Sequence, residues 1–312
     1  MADQPRPAWA RGESVFDVSR SRVLSLPMLT PEWAWGGATG KGVRVAVIDS
    51  GIEASHPRLE GCVDEESGVA LELGDNGEIV EHPGPHPDLF GHGTACATII
   101  HELAPEASIT SVRVLGAKLS GKAQVFLHGL AWAVEHGFQV INLSLGTPKR
   151  DWALPFYEIC DQAYFRGSFL VTAANNQPVV SFPSLFGAVT SVACNVATDP
   201  FEFHFNPDPP TEFLARGIDV DLAWKDGTSI RATGNSFAAP HISGIAALIL
   251  SKHPQLRPFQ VKAALWAAAA NLPGEARAPA LDLSGVMARP GATSARAMSA
   301  LHSVVSPSEP AA

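Results

Sequence analysis

The sequence predicts an α/β fold in which a mostly parallel central sheet is flanked by helices. Residues 43–48 and 139–143 are short runs of mainly apolar, β-branched side chains, as expected for strands buried on both faces. Residues 122–136 and 236–250 are longer apolar segments that suit helices, and the first has its apolar side chains on one helical face. Strands and helices of these two kinds favour a layered α/β domain.

The remaining elements are assigned in the same way. We predict further strands over 109–115, 168–174 and 182–193, and further helices over 94–103, 152–166 and 254–270. Residues 199–210 are aromatic and interrupted by prolines, which indicates a surface loop with an apolar patch.

The chain is predicted to form one domain over residues 31–271. Its 312 residues can build one large core. Residues 1–30 lack sustained periodicity and predict an N-terminal arm, whose apolar part either covers the core or lies across a cleft. Residues 272–312 are rich in alanine, proline, serine and arginine and predict a partly disordered tail.

The charge of the chain limits its partners. A net charge of −9 argues against a nucleic-acid-binding surface, which is normally basic. Acidic side chains cluster between positions 64 and 81 and predict a solvated insertion. This insertion either keeps the protein soluble or attracts basic substrates.

The sequence predicts a cytoplasmic protein without a membrane partner. Its first residues contain no apolar run like that of a signal peptide, and no stretch has the length of a membrane span. A reducing cytoplasm would keep the cysteines as free thiols, and their spacing is not that of a zinc site. These cysteines are Cys62, Cys96, Cys160 and Cys194. The oligomeric state is left open.

Three short stretches carry side chains that could act together in catalysis. Asp49 follows the apolar run 43–48, at a strand end where open α/β sheets bind ligands. His92 lies between two glycines at the head of one apolar segment, and Ser236 begins another. Backbone N–H groups at a helix start favour developing negative charge. These residues suit a charge-stabilised base and its nucleophile, although a serine at a helix start is more often only an N-cap.

Three sequence blocks resemble those of the subtilisin-like serine proteases. They are Val-Ala-Val-Ile-Asp-Ser-Gly-Ile (45–52), Gly-His-Gly-Thr (91–94) and Gly-Asn-Ser-Phe-Ala-Ala-Pro-His (234–241), in the order Asp, His, Ser that subtilisin has. The likeness covers about residues 31–271. Within this family, the chain resembles the intracellular type, which lacks a prodomain. It implies a three-layer subtilisin-like fold.

The resemblance also implies a serine endopeptidase that hydrolyses peptide bonds through an acyl-enzyme. Ser236 would attack the peptide carbonyl, His92 would accept its proton and Asp49 would hold the imidazole. Asn176 aligns with the side-chain donor to the oxyanion. Asn175 replaces a glycine there, and asparagine is among the few residues that tolerate a positive φ. The residues expected to bind substrate are Lys118, Leu119, Ser120, Gly121, Ser144, Leu145, Gly146, Ala174, Gln177 and Ser181.

The chain departs from the family pattern at several positions. Arg58 stands where an aspartate usually helps to bind calcium, and the calcium-holding loop after the histidine helix is missing, so we expect neither a metal nor another cofactor. Cys96 resembles the unpaired cysteine of proteinase K-like enzymes and is expected to pack beneath His92. Asn235 replaces the usual threonine before the nucleophile, which could alter hydrogen bonds in that loop, and Phe237 replaces the usual methionine after it.

Three functions are compatible with the sequence. The first is an endopeptidase that processes a dedicated peptide or protein substrate in the cytoplasm. The second is a peptide ligase or macrocyclase of the same fold, although the sequence lacks an obvious insertion that would keep water from the acyl-enzyme. The third is a catalytically weak peptide-binding module. An α/β-hydrolase is disfavoured, because its serine turn needs glycine where this chain has Ala238.

Overall fold

The structure is a computed structural model that describes residues 29–59 and 61–272. Nearly all of the predicted arm and tail therefore lies outside the described residues. The helices in the described ranges are α1 (Pro31–Ala34), α2 (His92–Leu103), α3 (Ala123–Glu135), α4 (Ala153–Arg166), α5 (Asn235–Lys252) and α6 (Pro258–Ala268). No helix in these ranges combines the length and the apolar character needed to cross a bilayer.

The strands occupy most of the connections between these helices. They are β1 (Arg44–Asp49), β2 (Val69–Leu73), β3 (Ile79–Pro83), β4 (Ser108–Arg113), β5 (Val140–Leu143), β6 (Phe169–Ala173), β7 (Thr190–Asn195), β8 (Phe203–Phe205), β9 (Phe213–Arg216), β10 (Val220–Trp224) and β11 (Thr228–Ala232).

Nine of the described strands form one sheet, in the order β3-β2-β4-β1-β5-β6-β7-β9-β8. Neighbouring strands are parallel, except that β3 is antiparallel to β2 and β8 is antiparallel to β9. β10 and β11 form a separate antiparallel pair. The predicted mostly parallel sheet is confirmed, and β1 lies in its interior.

Helices cover both faces of the sheet. Along β1, Val45 and Val47 belong to one hydrophobic core and Ala46 and Ile48 to the other, which explains why this strand is apolar on successive residues. Side chains of α1, α2, α5 and α6 complete the first core, and side chains of α3 and α4 complete the second. The predicted three-layer arrangement is therefore confirmed.

Cys96, Cys160 and Cys194 are free thiols, and the four cysteines are distributed over both cores. Cys96 is buried in the first core and Cys160 in the second, whereas Cys62 and Cys194 are partly exposed. Burial raises the pKa of the Cys160 thiol to about 12.

Two element predictions are wrong. The strand predicted over 182–193 begins only at Thr190, because the residues from Pro183 onward form successive turns, closed by hydrogen bonds from Phe186 N–H to Pro183 O and from Val189 N–H to Phe186 O. The surface loop predicted over 199–210 contains β8, whose Phe203 is 1% exposed. Phe203 and Phe205 pack against Phe213 of β9, whereas Phe201 is 40% exposed.

The acidic insertion forms the hairpin β2–β3 at one edge of the sheet. β2 buries its first three residues, whereas β3 is largely exposed. The side chains of Glu72, Asp75, Glu78 and Glu81 are exposed, so this insertion is solvated as predicted.

Candidate active site

The carboxyl ends of three neighbouring parallel strands meet at one edge of the sheet. Asp49 ends β1, Ser144 follows β5 and Ala174 follows β6. α2 and α5 begin at the same edge, with His92 and Ser236 in their first turns. The topology therefore gathers the predicted catalytic side chains from distant parts of the chain.

Asp49 and His92 form a buried hydrogen-bonded pair. His92 Nδ1 lies 2.8 Å from Asp49 Oδ2 and 2.9 Å from Oδ1, and the two residues are 5% and 1% exposed. Because a carboxylate accepts hydrogen bonds, Nδ1 carries the proton and Nε2 keeps a lone pair that can act as a base. Burial by itself lowers the pKa of His92, but the Asp49 carboxylate outweighs burial and raises this pKa well above its ordinary value.

A second buried carboxylate, absent from the sequence-based predictions, holds this pair in place. Asp88 accepts five hydrogen bonds, from Ser50 Oγ, from the N–H groups of the two residues before His92, and from the N–H and hydroxyl of Thr94. Ser50 Oγ in turn accepts from Gly93 N–H. In the sequence, Asp88 is recognisable as an acid shortly before a helix start that has a threonine in its first turn. This pattern suits helix capping.

Glycines on both sides of His92 allow α2 to begin against β1. A Cβ at Gly93 would collide with the carbonyl oxygen of Gly51. Gly91 has a φ of 113°, and a Cβ there would lie 2.7 Å from the ring of Trp224. The imidazole can therefore approach the end of β1 only because its neighbours have no side chains.

Ser236 is the second residue of α5, and its carbonyl has lost its usual helical partner. Pro240 is the sixth residue of this helix and lies in its second turn. Because proline has no N–H, it cannot donate to Ser236 O. Ser144 Oγ donates to this oxygen at 3.0 Å, and Cys96 Sγ lies 3.5 Å from it. These contacts connect the first turn of α5 to the end of β5 and to α2.

The Ser236 N–H has no hydrogen-bond partner among the described residues, as expected at a helix start. Within the same ranges, the Ser236 hydroxyl and His92 are not joined by a hydrogen bond. The two residues are held near each other, because the Phe237 ring centroid lies 5.3 Å from that of His92. In enzymes without substrate, catalytic hydrogen bonds are often long and shorten in the complex.

Cys96 packs beneath the Asp49–His92 pair, where it was predicted. Its Sγ lies 3.8 Å from Asp49 Oδ2 and 3.9 Å from His92 Nδ1. Burial raises the pKa of this thiol, so it remains neutral and serves as packing. Ligand-type atoms of these three residues lie within 4.8 Å of one another. A metal ion there would compete with the proton on Nδ1, so this group is better explained as the pair and its packing.

Asn176, the predicted oxyanion donor, is exposed in the loop after β6. Its Oδ1 accepts a hydrogen bond of 3.0 Å from Asn235 N–H, which leaves the amide Nδ2 as the donating end. Asn175 does not adopt the positive φ that asparagine tolerates. Instead, Asn175 Oδ1 accepts from Gln177 N–H at 2.8 Å and closes the turn.

This arrangement of side chains agrees with the comparisons with known proteins. The profile of the Subtilase family (Peptidase_S8) matches residues 40–283. The chain belongs to the subtilase family. Among its relatives, Subtilisin DY of Bacillus licheniformis is 33% identical over 251 residues, which cover 76% of this chain and 86% of that protein. The domain is that of a subtilisin-like serine protease.

Other relatives are longer than the matched region. Subtilisin E of Bacillus subtilis (strain 168) is 32% identical over 241 residues, which cover 72% of this chain, and the chain spans only 60% of the length of that relative. Two solved structures share the subtilase fold. A cold adapted subtilisin-like serine proteinase has a TM-score of 0.61 at 24% identity, with 78% of this chain and 88% of that chain covered. A lanthipeptide protease has a TM-score of 0.61 at 24% identity, with 74% and 81% covered.

The substrate-binding residues inferred from the subtilase resemblance lie in three segments. Residues 118–120 lie in a turn closed by a hydrogen bond from Gly116 N–H to Ser120 O, and Gly121 follows it. The chain enters this turn from Leu115, whose N–H donates to Asp49 O. Residues 144–146 are next to Ser181, since a Cβ at Gly146 would lie 2.5 Å from Ser181 Oγ. The third segment continues from Ala174 to Gln177, which is exposed. Their role in binding substrate stays a prediction.

Arg58, at the position of the usual calcium-binding aspartate of subtilases, forms ion pairs. Its guanidinium donates to Glu102, in the last turn of α2, and to Asp221 in β10. The guanidinium of Arg58 thus joins the turn after β1 to α2 and to β10. The expectation that this chain binds no metal stays a prediction.

Proposed function

We propose that the protein is a serine endopeptidase whose catalytic residues are Asp49, His92 and Ser236, with Asn176 as an oxyanion donor. The observation that carries this proposal is the buried hydrogen bond between Asp49 and His92. It lies beside the first turn of α5, at the carboxyl edge of a parallel sheet.

The proposed reaction is acyl transfer to water. Ser236 Oγ attacks the carbonyl carbon of a peptide bond while His92 Nε2 takes the hydroxyl proton, and Asp49 stabilises the resulting imidazolium. The negatively charged oxygen of the tetrahedral intermediate accepts hydrogen bonds from Ser236 N–H and from the amide of Asn176. The imidazolium then gives its proton to the leaving amine. Water, deprotonated by His92, releases the acyl chain and restores Ser236.

We propose that the substrate is a dedicated peptide or protein, bound in an extended form before the scissile bond. Backbone groups of residues 118–121 and 144–146 would pair with the substrate backbone, and the absence of a side chain at Gly146 would permit its close approach. The cytoplasmic location is part of this proposal, and cell fractionation with an antibody against the protein tests it.

The deciding experiment compares the wild-type protein with Ser236→Ala. Both are treated with a fluorophosphonate probe and then with a peptide library, whose products are read by mass spectrometry. We expect the wild type to be labelled and to hydrolyse peptides, and Ser236→Ala to lose both, with a fall in kcat of about 10⁶-fold, the size known for subtilisin itself. Ser251→Ala changes a serine at the opposite end of the same helix and should behave like the wild type.

Each other outcome contradicts part of the proposal. Labelling with cyclised or transferred products would identify a peptide ligase, because an amine would then resolve the acyl-enzyme. Failure of the folded wild type to be labelled or to hydrolyse any peptide would indicate a peptide-binding module. Labelling that persists in Ser236→Ala would move the nucleophile to another residue.

A further inference from the structure

Asn235 precedes the proposed nucleophile and makes four hydrogen bonds to the loop after β6 and to β7. Its Nδ2 donates to Ala174 O and to Asn175 O, each at 3.2 Å. Its Oδ1 accepts from Cys194 N–H at 2.9 Å, and its own N–H donates to Asn176 Oδ1 at 3.0 Å. The donors and acceptor of this side-chain amide are therefore all used.

These contacts fix the segment that carries the proposed oxyanion donor. Asn176 is exposed, and in the described residues its side chain is hydrogen-bonded only to Asn235 N–H. The carbonyls of the two preceding residues are bound by the Asn235 side chain. The Asn235 side chain thus holds the backbone before Asn176, together with the hydrogen bond from Ala174 N–H to Val192 O, and the Asn235 N–H orients the Asn176 amide.

The same residue is covalently joined to Ser236. The nucleophile is therefore linked to the oxyanion donor by two steps only. They are the peptide bond between Asn235 and Ser236 and the hydrogen bond from Asn235 N–H to Asn176 Oδ1. An oxyanion donor is effective only when it is preorganised at about 2.7–3.1 Å from the position where charge develops. A small displacement of the loop after β6 would therefore weaken transition-state stabilisation without disturbing Asp49 or His92.

We infer that Asn235 is a positioning residue for the oxyanion site, which it builds by fastening residues 174–176 to the start of α5. This inference rests on the proposed function and deepens it. It also gives a role to Asn235 at the position of the usual threonine. An amide can bind two carbonyls and one N–H at once, whereas a hydroxyl offers a single donor.

The test is a double-mutant cycle between Asn235→Ala and Asn176→Leu, measured as kcat and KM on one peptide substrate. Asn176→Leu removes the proposed donor and should lower kcat by about 10²–10³-fold, the loss known for the corresponding change in subtilisin. Asn235→Ala should lower kcat about 10-fold or more with KM nearly unchanged. In the Asn176→Leu background it should lower kcat by less than about 2-fold further, because the group that it positions is already gone.

A matched control is Asn195→Ala at the end of β7. Asn195 also bridges backbone groups, since Nδ2 donates to Leu214 O and Oδ1 accepts from Ala197 N–H, but it has no hydrogen bond to residues 174–176. We expect its kcat to stay within about 2-fold of wild type. Asn235→Asp is the second variant, because it keeps the acceptor for Cys194 N–H, removes both donors and should lower kcat as Asn235→Ala does.

The outcomes separate this inference from the proposed function. If Asn235→Ala and Asn235→Asp melt at the wild-type temperature and keep wild-type kcat, Asn235 does not position the site. An equal loss of kcat from Asn235→Ala in both backgrounds would show that Asn235 acts independently of Asn176 and would overturn the inference. The endopeptidase proposal would still stand in that case, provided that turnover depends on Ser236. Absence of any turnover that depends on Ser236 in the wild type would remove both.

Discussion

At the residue scale, the imidazole of His92 is subject to two opposing effects. Its burial disfavours the charged form, whereas the carboxylate of Asp49, 2.8 Å from Nδ1, favours it, and the carboxylate dominates. The same carboxylate selects the tautomer in which Nε2 can accept a proton. A general base works only in its neutral form, so the raised pKa of His92 determines the acid limit of the activity.

The first prediction concerns the pH dependence of this base. We expect kcat/KM to rise with pH as His92 loses its proton, with a midpoint above its ordinary pKa of about 6.5. Asp49→Asn removes the charge that raises this pKa, so the midpoint of its residual activity should move to lower pH, and kcat should fall by about 10⁴-fold. A wild-type midpoint below pH 6.5 would contradict the direction of the shift.

At the element scale, the position of α2 depends on Asp88. This carboxylate accepts hydrogen bonds from the loop before the helix, from its first turn and from Ser50 at the end of β1. The N-cap residue, Gly91, has no side chain, so Asp88 supplies the acceptor that a capping side chain would otherwise provide. The relative placement of Asp49 and His92 follows from this one group.

We therefore predict a large effect of Asp88→Ala on stability and activity. Removal of a buried carboxylate would leave several N–H groups unsatisfied and should lower the free energy of unfolding by at least about 2 kcal/mol, measured by urea denaturation. The kcat of the folded fraction should fall as well, because His92 is no longer fixed. A suitable control is Asp64→Ala, since Asp64 Oδ1 also accepts a backbone hydrogen bond, from Ser67 N–H, but is only partly buried. Equal effects of the two variants would argue against a special role for Asp88.

At the scale of the whole molecule, the central helix α5 contains a histidine that must stay neutral. His241 is 3% exposed and its Nδ1 donates to Phe237 O at 2.8 Å. Burial lowers its pKa to about 4. The unfolded chain, with a pKa near 6.5, therefore binds more protons than the folded chain between these two values, so stability decreases as the pH falls through this window.

The corresponding prediction is a loss of stability of about 3 kcal/mol from His241 between pH 6.5 and pH 4, measured as the free energy of unfolding. His241→Asn keeps a donor for Phe237 O and should reduce this pH dependence by a similar amount. His136→Asn is the matched control, because His136 Nδ1 is bonded to Trp132 O in the same way but the residue is exposed. If His241→Asn retained the full pH dependence, the loss would have to come from other groups.

The sequence predicts those features that depend on interactions between residues close together in the chain. It fails for features that depend on residues far apart in the chain. The strand ending in Asp49 and the helices beginning near His92 and Ser236 have local signals, and these predictions agree with the structure. Asp88 has only a local capping signal, and its role in joining α2 to β1 is not visible in the sequence because it depends on Ser50, which is distant along the chain. Asn175 stands where the family has a glycine, but its side chain closes a turn at ordinary φ.

The same limit explains the errors in the elements. The sequence places the aromatic residues of β8 in a surface loop because prolines lie on both sides of them, whereas the pairing of β8 with β9 depends on contacts across the sheet. The turns after Pro183 likewise interrupt a run that is apolar enough for a strand. For Asn235 the sequence predicts only a change in the hydrogen bonds of its loop, since its four partners lie in two other segments of the chain.

The placement of the cysteines provides an internal reporter of local opening. Each face of the central sheet contains one fully buried thiol, Cys96 on the side of α2 and α5 and Cys160 on the side of α3 and α4. A thiol-reactive reagent can reach either sulfur only after the helices on that face separate from the sheet. The rates at which the two cysteines are alkylated in native buffer therefore measure the opening of the catalytic face and of the opposite face independently.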